Sequence, residues 1–267
     1  MMKRFITRAL GIAMACASLA FAAPAMPAAH STSAVRGVSG SPGYITYNWS
    51  GYADYNSKPF TNVVGQWRVP TATCLGINDE AHVFWVGLDG WNSGTVEQGG
   101  TIAFCSLGKP LYFAWWEMYP TNNFIAVYQV YPGDFITAGV KYSNGTFKIT
   151  VNDMTTAHLN SFTTSQTCQS GLTCSRSSAE WIAEVPTFSD TGGLGNLVEW
   201  TNKKGVKTMG FTGCYATSGG VTNPIGGWPG TTGGIYMISQ WNTHWLAVPS
   251  ALGPKGQGFQ DYWKAEN

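Results

Sequence analysis

The sequence predicts an all-β fold in one domain, a sandwich or barrel, and three observations predict it. Runs such as "HVFWVGLDG", "LYFAWWEMYP", "FIAVYQVYPGDFITAGVKYS", "TFKITVNDM" and "GIYMISQWN" are rich in Val, Ile, Thr and aromatic residues, which fit a pleated, half-buried surface. Gly, Pro, Asn or Asp interrupts them every ten residues or so, as turns between short strands require. No amphipathic stretch of helical period stands out. About 220 residues of this kind are enough for one full core, and no internal repeat divides them.

The ends of the chain read differently. Residues 1–29 have the form of a secretory signal peptide: Lys3, Arg4 and Arg8, then an apolar run from Leu10 to Ala23, then the small-residue site Ala20-Phe21-Ala22, with cleavage expected near 22–29. The apolar run, about 14 residues, is shorter than the roughly 20 that span a bilayer. A secreted protein, free of the membrane after cleavage, is the expectation. Cys16 has neither Leu nor Val three residues before it, which argues against a lipid anchor. Residues 30–43, "HSTSAVRGVSGSPG", read as a flexible linker or short pro-segment, and 44–267 as the folded domain.

Of 15 Lys and Arg, three belong to the leader, whereas all 14 Asp and Glu lie beyond it, so the mature chain is close to neutral. Without a basic patch, nucleic acid is not an expected partner, and Lys203, Lys204 and Lys207 read as one solvated turn. Charged residues make up only 11% of the chain, against the usual quarter. Such a surface changes its charge little on acidification.

Five cysteines follow the leader. Cys168 and Cys174 bracket "CQSGLTC", a short loop that a disulfide would close, while the pairing among Cys74, Cys105 and Cys214 cannot be read from spacing. No CxxC or HExxH spacing occurs, and His82, His158 and His244 stand far apart, so no metal site is expected.

Two strands carry carboxylates in unusual company. In "AEWIAEVP" alternation puts Glu180, Ile182 and Glu184 on one face and Trp181, Ala183 and Val185 on the other. The plain alternative is an edge strand with solvated glutamates, but such a strand would carry Thr, Ser or Lys beside them. In "FAWWEMYP" the residues Phe113, Trp115, Glu117 and Tyr119 share a face. A carboxylate among aromatic side chains is costly to bury unless it is paired or protonated, so a groove lined by aromatics, able to take a peptide or a sugar chain, is expected. A third stretch, "FWVGLDGWNSGTVEQGG", places Asp89 between glycines, where an Asx turn is an equal reading, and Gln98 before Gly-Gly. An amide there can donate to an oxyanion or hold a water.

The motifs "NWSGYA" (48–53), "GQWRVP" (65–70), "WVGLDG" (85–90), "VEQGG" (96–100), "AWWEMYP" (114–120), "YPGD" (131–134) and "AEWIAE" (179–184) stand in the order seen in the glutamic peptidases, or eqolisins. The C-terminal "AVPSALGPKGQGFQDYW" resembles the ending of bacterial members, so the resemblance covers nearly all of the chain after the leader. It implies a lectin-like (concanavalin-like) jelly roll, a sandwich of two antiparallel sheets whose concave face binds peptide. It also implies a Gln and Glu pair holding one water, with no cofactor, no metal and no covalent intermediate. The family's glutamine, in a motif of the form LQTG, falls on Gln98, and its glutamate, the second of the AEWIxE motif, falls on Glu184. Trp49, Trp85, Trp115, Glu117 and Tyr119 match groove positions, Asp89 matches an aspartate that orients the glutamine or orders the turn, and Glu180 is a supporting neighbour. "VEQGG" departs from the family pattern by placing Glu97 beside Gln98. In a strand Glu97 points away from Gln98, so a surface effect is expected, with an altered groove rim as the alternative.

The resemblance thus implies a pepstatin-insensitive acid endopeptidase, monomeric, acting on polypeptide. With the ordinary carboxylate pKa, Glu184 would be partly ionised in acid and serve as the base. Two rivals use the same residues: a lectin-like glycoside hydrolase with Glu117 and Glu184 as its carboxyl pair, and a carbohydrate-binding module using the aromatics alone. The first leaves Gln98 unexplained and the second tolerates loss of Glu184. Neither GxSxG nor GDSGG occurs, which speaks against a serine hydrolase.

Overall fold

The computed structural model describes residues 34–35, 43–77, 79–120, 122–187, 194–241 and 243–267; the leader and most of 30–43 lie outside them. The first strands are β1 (Ala34–Val35), β2 (Gly43–Thr46), β3 (Trp49–Tyr55), β4 (Phe60–Arg68), β5 (Thr71–Thr73), β6 (Glu80–Leu88) and β7 (Val96–Ser106). Next come β8 (Lys109–Tyr119), β9 (Asn122–Gln129), β10 (Phe135–Ser143), β11 (Thr146–Asp153), β12 (Asn160–Thr167), β13 (Ser178–Glu184) and β14 (Asn196–Leu197). The remainder are β15 (Glu199–Thr201), β16 (Thr208–Ser218), β17 (Val221–Pro224), β18 (Gly230–Thr231), β19 (Ile235–Ile238), β20 (Trp245–Pro249) and β21 (Phe259–Trp263). No helix occurs among the described residues.

The fold is all-β, as expected, in two layers that are one continuous sheet. The first layer runs β9-β8-β7-β6-β13-β3 and continues through β19, β20 and β21. The second runs β12-β11-β10-β4-β16-β17. β16 belongs to both: Thr208–Phe211 pairs with β21, and from Thr212 onward the strand pairs with β4, after a bulge between Thr212 and Tyr215. Gly213 sits in that bulge at φ 57°, where a Cβ would lie 2.8 Å from Gln66 Oε1. The left-handed backbone there favours glycine, a side chain would have to displace the end of Gln66, and the bulge re-aims the strand from one layer into the other.

Alternation explains which faces are buried. In β11 Phe147, Ile149 and Val151 point inward while Lys148 faces solvent, and β12, "NSFTTSQT", is polar as an outer strand should be. β6 and β13, by contrast, are buried at every position. They lie at the centre of the first layer, with the main core on one face and a second apolar cluster on the other. The edge-strand reading of "AEWIAEVP" therefore fails: β13 is flanked by β3 and β6. Trp181 fills the space between layers, its Nε1 donating to Val64 O of β4 at 2.8 Å, and Trp67 Nε1 reaches Thr101 Oγ1 at 2.9 Å in the opposite direction. Buried indoles thus satisfy their one donor across the sandwich.

Disulfides join Cys74 to Cys105 and, as the short loop suggested, Cys168 to Cys174. Cys214 is the odd thiol, free and buried. Lys203, Lys204 and Lys207 are exposed as expected, and Lys207 also pairs with Glu199 at 2.6 Å.

Trp181→Ala removes a fully buried cross-layer indole of β13 and its hydrogen bond to Val64 O. A loss of about 3–5 kcal/mol in urea unfolding is expected, with the slope m unchanged.

Candidate active site

The face of the first layer turned away from the main core gathers the side chains singled out above. Register sets Gln98 directly opposite Glu117 on β8 and opposite Gly87 on β6, with Glu180 in the same row beyond Gly87. The next row holds Trp115, Gly100, Trp85 and Ile182, and Glu184 pairs with Trp49 of β3. Gly87 has to be bare, because a Cβ there would lie 2.9 Å from Trp85 Cζ3 and 3.1 Å from Gln98 Cβ. Aromatic rings close over this face. Trp49 meets Trp85 edge-on with centroids 5.0 Å apart, Tyr44 meets Trp91 likewise at 5.0 Å, and Phe124 stacks on Trp115 at 4.9 Å. Tyr119 packs against the same cluster.

Beneath these rings Gln98, Glu117 and Glu184 are each only 2% exposed. Glu184 accepts hydrogen bonds from Trp85 Nε1 at 2.7 Å and from Asn48 Nδ2 at 3.3 Å. Gln98 Nε2 donates to Glu117 Oε2 in a short contact. Among the described residues, Gln98 Oε1 and Trp115 Nε1 are buried with no hydrogen-bond partner, while the Trp49 indole is directed at the Glu184 carboxyl. Burial pushes Glu184 up to about 8; the Trp85 donor opposes this and the charge of Glu117 adds to it. Burial likewise pushes Glu117 up to about 7 against the Gln98 donor. Glu184, Glu117 and Gln98 are thus one electrostatic group. Asn48 was not singled out from the sequence, although it stands at the head of the "NWSGYA" motif.

Glu180 shares the face of Glu184 but keeps other company. It is fully buried, and burial, followed by the charges of Asp89 and Glu97, holds its carboxyl far above the usual range. Asp89, at φ 65°, accepts hydrogen bonds from Arg176 N at 2.6 Å, Ser177 N at 2.8 Å and Ser177 Oγ at 3.1 Å, and more weakly from Thr95 Oγ1 at 3.4 Å. Of the two readings of Asp89, it is the ordering of a turn that these bonds describe: they dock the approach to β13 onto the end of β6. Glu97 corrects an expectation. It does point away from Gln98, yet toward the interior, between Leu88 and Met118, and it is 0% exposed. The reason is that β7 is covered on both faces at this end. Burial, then Asp89, raises the Glu97 carboxyl well above normal, and the Thr95 hydroxyl and then Arg176 offset them only in part.

A cavity of about 500 Å³ opens elsewhere, on the outer face of the second layer, lined by Asn62, Gln66, Lys141, Lys148, Thr150 and Asn152 among others. None of the carboxyl groups above borders it.

Buried carboxyl groups and an amide, gathered under aromatic rings on a β-sandwich, define a scaffold for acid–base hydrolysis. Residues 47–250 match the sequence profile of the Peptidase A4 family, and the chain belongs to that family, the glutamic peptidases. No curated protein sequence matches. Among solved structures, scytalido-glutamic peptidase with a peptide-based transition state analog is similar at TM-score 0.66 and 22% identity, over 82% of this chain and 98% of that one. SCP-B, an eqolisin in complex with the tripeptide Ala-Ile-His, is similar at TM-score 0.62 and 21% identity, over 82% and 98%. Aspergilloglutamic peptidase from Aspergillus niger is similar at TM-score 0.51 and 24% identity, over 69% and 99%. These likenesses establish the shared fold.

The pattern of raised carboxyls fixes how stability depends on pH. A carboxyl whose pKa is raised by folding stabilises the fold below its unfolded value, and that contribution disappears as pH climbs to the folded value. Asp54 and Glu117 rise to about 7, Glu184 and Asp261 to about 8, and Glu97 and Glu180 well above the ordinary carboxyl value, in each case first through burial. His82 has the opposite sign: buried neutral and lowered to about 4, it costs stability as pH falls below its ordinary 6.5. The carboxyls outnumber it, so stability should be greatest in acid and fall between about pH 4.5 and 8 by at least about 2 kcal/mol in urea melts. Glu97→Gln should recover part of that loss at pH 7.5 and change little at pH 4; equal effects at both would contradict the assignment.

Proposed function

We propose that this glutamic peptidase is a secreted acid endopeptidase in which Gln98 and Glu184 direct one water onto the peptide carbonyl, without cofactor or covalent intermediate. The observation that carries the reading is the convergence, on one buried face, of Glu184 held by Trp85 with Gln98 and Glu117. Relatives of the same fold have been solved with a peptide-based transition state analog and with a tripeptide. The unpartnered indole donor of Trp115 is suited to a peptide carbonyl, and the surrounding rings to apolar side chains. The leader-like N-terminus and two disulfides support export.

Burial alters the part that Glu184 takes. The ordinary carboxylate value suggested a base already partly ionised in acid, whereas a group raised to about 8 keeps its proton there. A carboxylic acid can still move both protons of the reaction. As the water oxygen bonds to the carbonyl carbon, the unprotonated oxygen of Glu184 takes a water proton and its O–H gives a proton to the carbonyl oxygen, forming a neutral diol. On collapse, Glu184 gives a proton to the leaving nitrogen and takes one from a diol hydroxyl, so the C–N bond breaks and the acid is restored. Gln98 donates Nε2–H to the oxygen on which charge develops.

Glu117 is the positioning residue. In this structure Gln98 Nε2 donates to Glu117 Oε2; when Glu117 is protonated, below about 7, rotation of the amide lets the carboxyl O–H donate to Gln98 Oε1 and turns Nε2 toward the substrate. Ionised, it holds Nε2 on itself. Activity therefore falls as pH rises through 7 toward 8.

Hydrolysis of an unfolded protein from about pH 2 to 7, with pepstatin present, tests the reading. Gln98→Ala should lose roughly 10²–10³-fold in kcat, the cost of one oxyanion donor. Glu184→Gln should abolish turnover with the fold intact, and unchanged proteolysis in that variant would overturn the proposal. Glu117→Gln, which cannot ionise, should keep activity and lose the decline near pH 7. Absence of proteolysis by the folded wild type would direct attention to sugar polymers.

A further inference from the structure

We infer that Asp134, Asp153 and His158 form a site for one divalent transition-metal ion at one end of the second layer, independent of the peptidase chemistry. The three residues come from separate segments. Asp134 closes the turn after Tyr131, its N–H donating to Tyr131 O at 3.0 Å; Asp153 ends β11 opposite Ile136; His158 ends the following turn, its N–H donating to Thr155 O at 2.9 Å. Backbone bonds from Val69 N to Asp134 O at 2.9 Å and from Met154 N to Phe135 O at 2.8 Å lock these segments together.

One ligand atom from each residue lies within 4.8 Å of the other two. His158 Nδ1 is 2.8 Å from Asp134 Oδ1, close to the roughly 3 Å between neighbouring ligands around an ion with bonds near 2.0–2.2 Å. The supporting contacts are already made. Tyr131 N holds Asp134 Oδ2 at 2.7 Å, Thr155 N holds Asp153 Oδ1 at 2.8 Å, and the Tyr131 ring packs on the imidazole with centroids 4.4 Å apart.

Two observations go beyond the presence of acids. Asp134 and Asp153 are 2% and 0% exposed, and among the described residues neither has a Lys or Arg partner. Asp153 Oδ2 is buried and receives no N–H or hydroxyl donor among the described residues, and the Asp153 carboxyl instead faces that of Asp134 at hydrogen-bonding range. Without an ion, two such carboxyls are accommodated by a proton shared between them and by the His158 contact; a divalent cation displaces these protons and meets the oxygen that has no donor. The His158 side chain, 39% exposed, provides the way in. An imidazole and few ligands suit Zn²⁺ or Mn²⁺ rather than Ca²⁺, which gathers six to eight oxygens.

Equilibrium dialysis and thermal melts of the whole mature chain at pH 6.5, with Zn²⁺, Mn²⁺ or Ca²⁺, test this. Zn²⁺ or Mn²⁺ should bind at one per chain, and at a hundredfold excess over Kd should raise Tm by roughly 5–10 °C. Ca²⁺ at the same concentration should do neither. His158→Ala, at a side chain 39% exposed, and Asp153→Asn should each abolish the binding and the shift, read against the melt of the same variant without metal. No bound ion in the wild type, or undiminished binding in His158→Ala, would overturn the site.

Discussion

Carboxyl groups with almost no access to water, set in the middle of a β-sheet, are the constraint to which the rest of this structure answers. Glu97 on β7, Glu117 on β8, and Glu180 and Glu184 on β13 are each at most 2% exposed. Removing an ionised carboxylate from water costs several kcal/mol unless a cation or several donors meet it. Here Trp85 and Asn48 meet Glu184, and Gln98 meets Glu117, all neutral donors. Neutral donors compensate only in part, so these groups are carboxylic acids over the acidic range. The catalytic proposal and the pH dependence of the fold thus share one cause.

The framework holds these groups in place through a few local devices. Asp89 binds the start of β13 by three hydrogen bonds from residues 176 and 177, which sets the register that carries Glu180 and Glu184. The Cys168–Cys174 disulfide closes the loop leading into that segment. Trp181 anchors the opposite face of β13 to the second layer, and the bulge at Gly213 lets one strand join both layers. None of these residues touches Glu184, yet each limits where its carboxyl can lie.

Much of this was legible from residue order, and the exceptions have physical reasons. Alternation alone put Glu180, Ile182 and Glu184 on one face and Trp181 on the other, because strand periodicity is local. Whether β13 lay at an edge or in the centre is a matter of partners far along the chain; its apolar neighbours hinted at the centre, which register confirms. Glu97 was read as pointing away from Gln98, correctly, but toward solvent, because one strand does not reveal what covers its second face. The same limit hid Asn48, which meets Glu184 across 136 positions, and the meeting of Asp134 with His158. Distances between histidines in sequence said nothing about carboxylates brought beside one of them. The pairing of Cys74 with Cys105 likewise needed the loop before β6 to fold against the end of β7.

The most direct test of the account is the protonation state of Glu184 in the free enzyme, followed through its side-chain carboxyl carbon by NMR in protein labelled at glutamate, with Glu184→Gln to assign the signal. The account predicts a carboxylic acid throughout the acidic range that titrates near 8. A midpoint near the ordinary glutamate value of about 4.3 would contradict it and return Glu184 to the part of an ionised base.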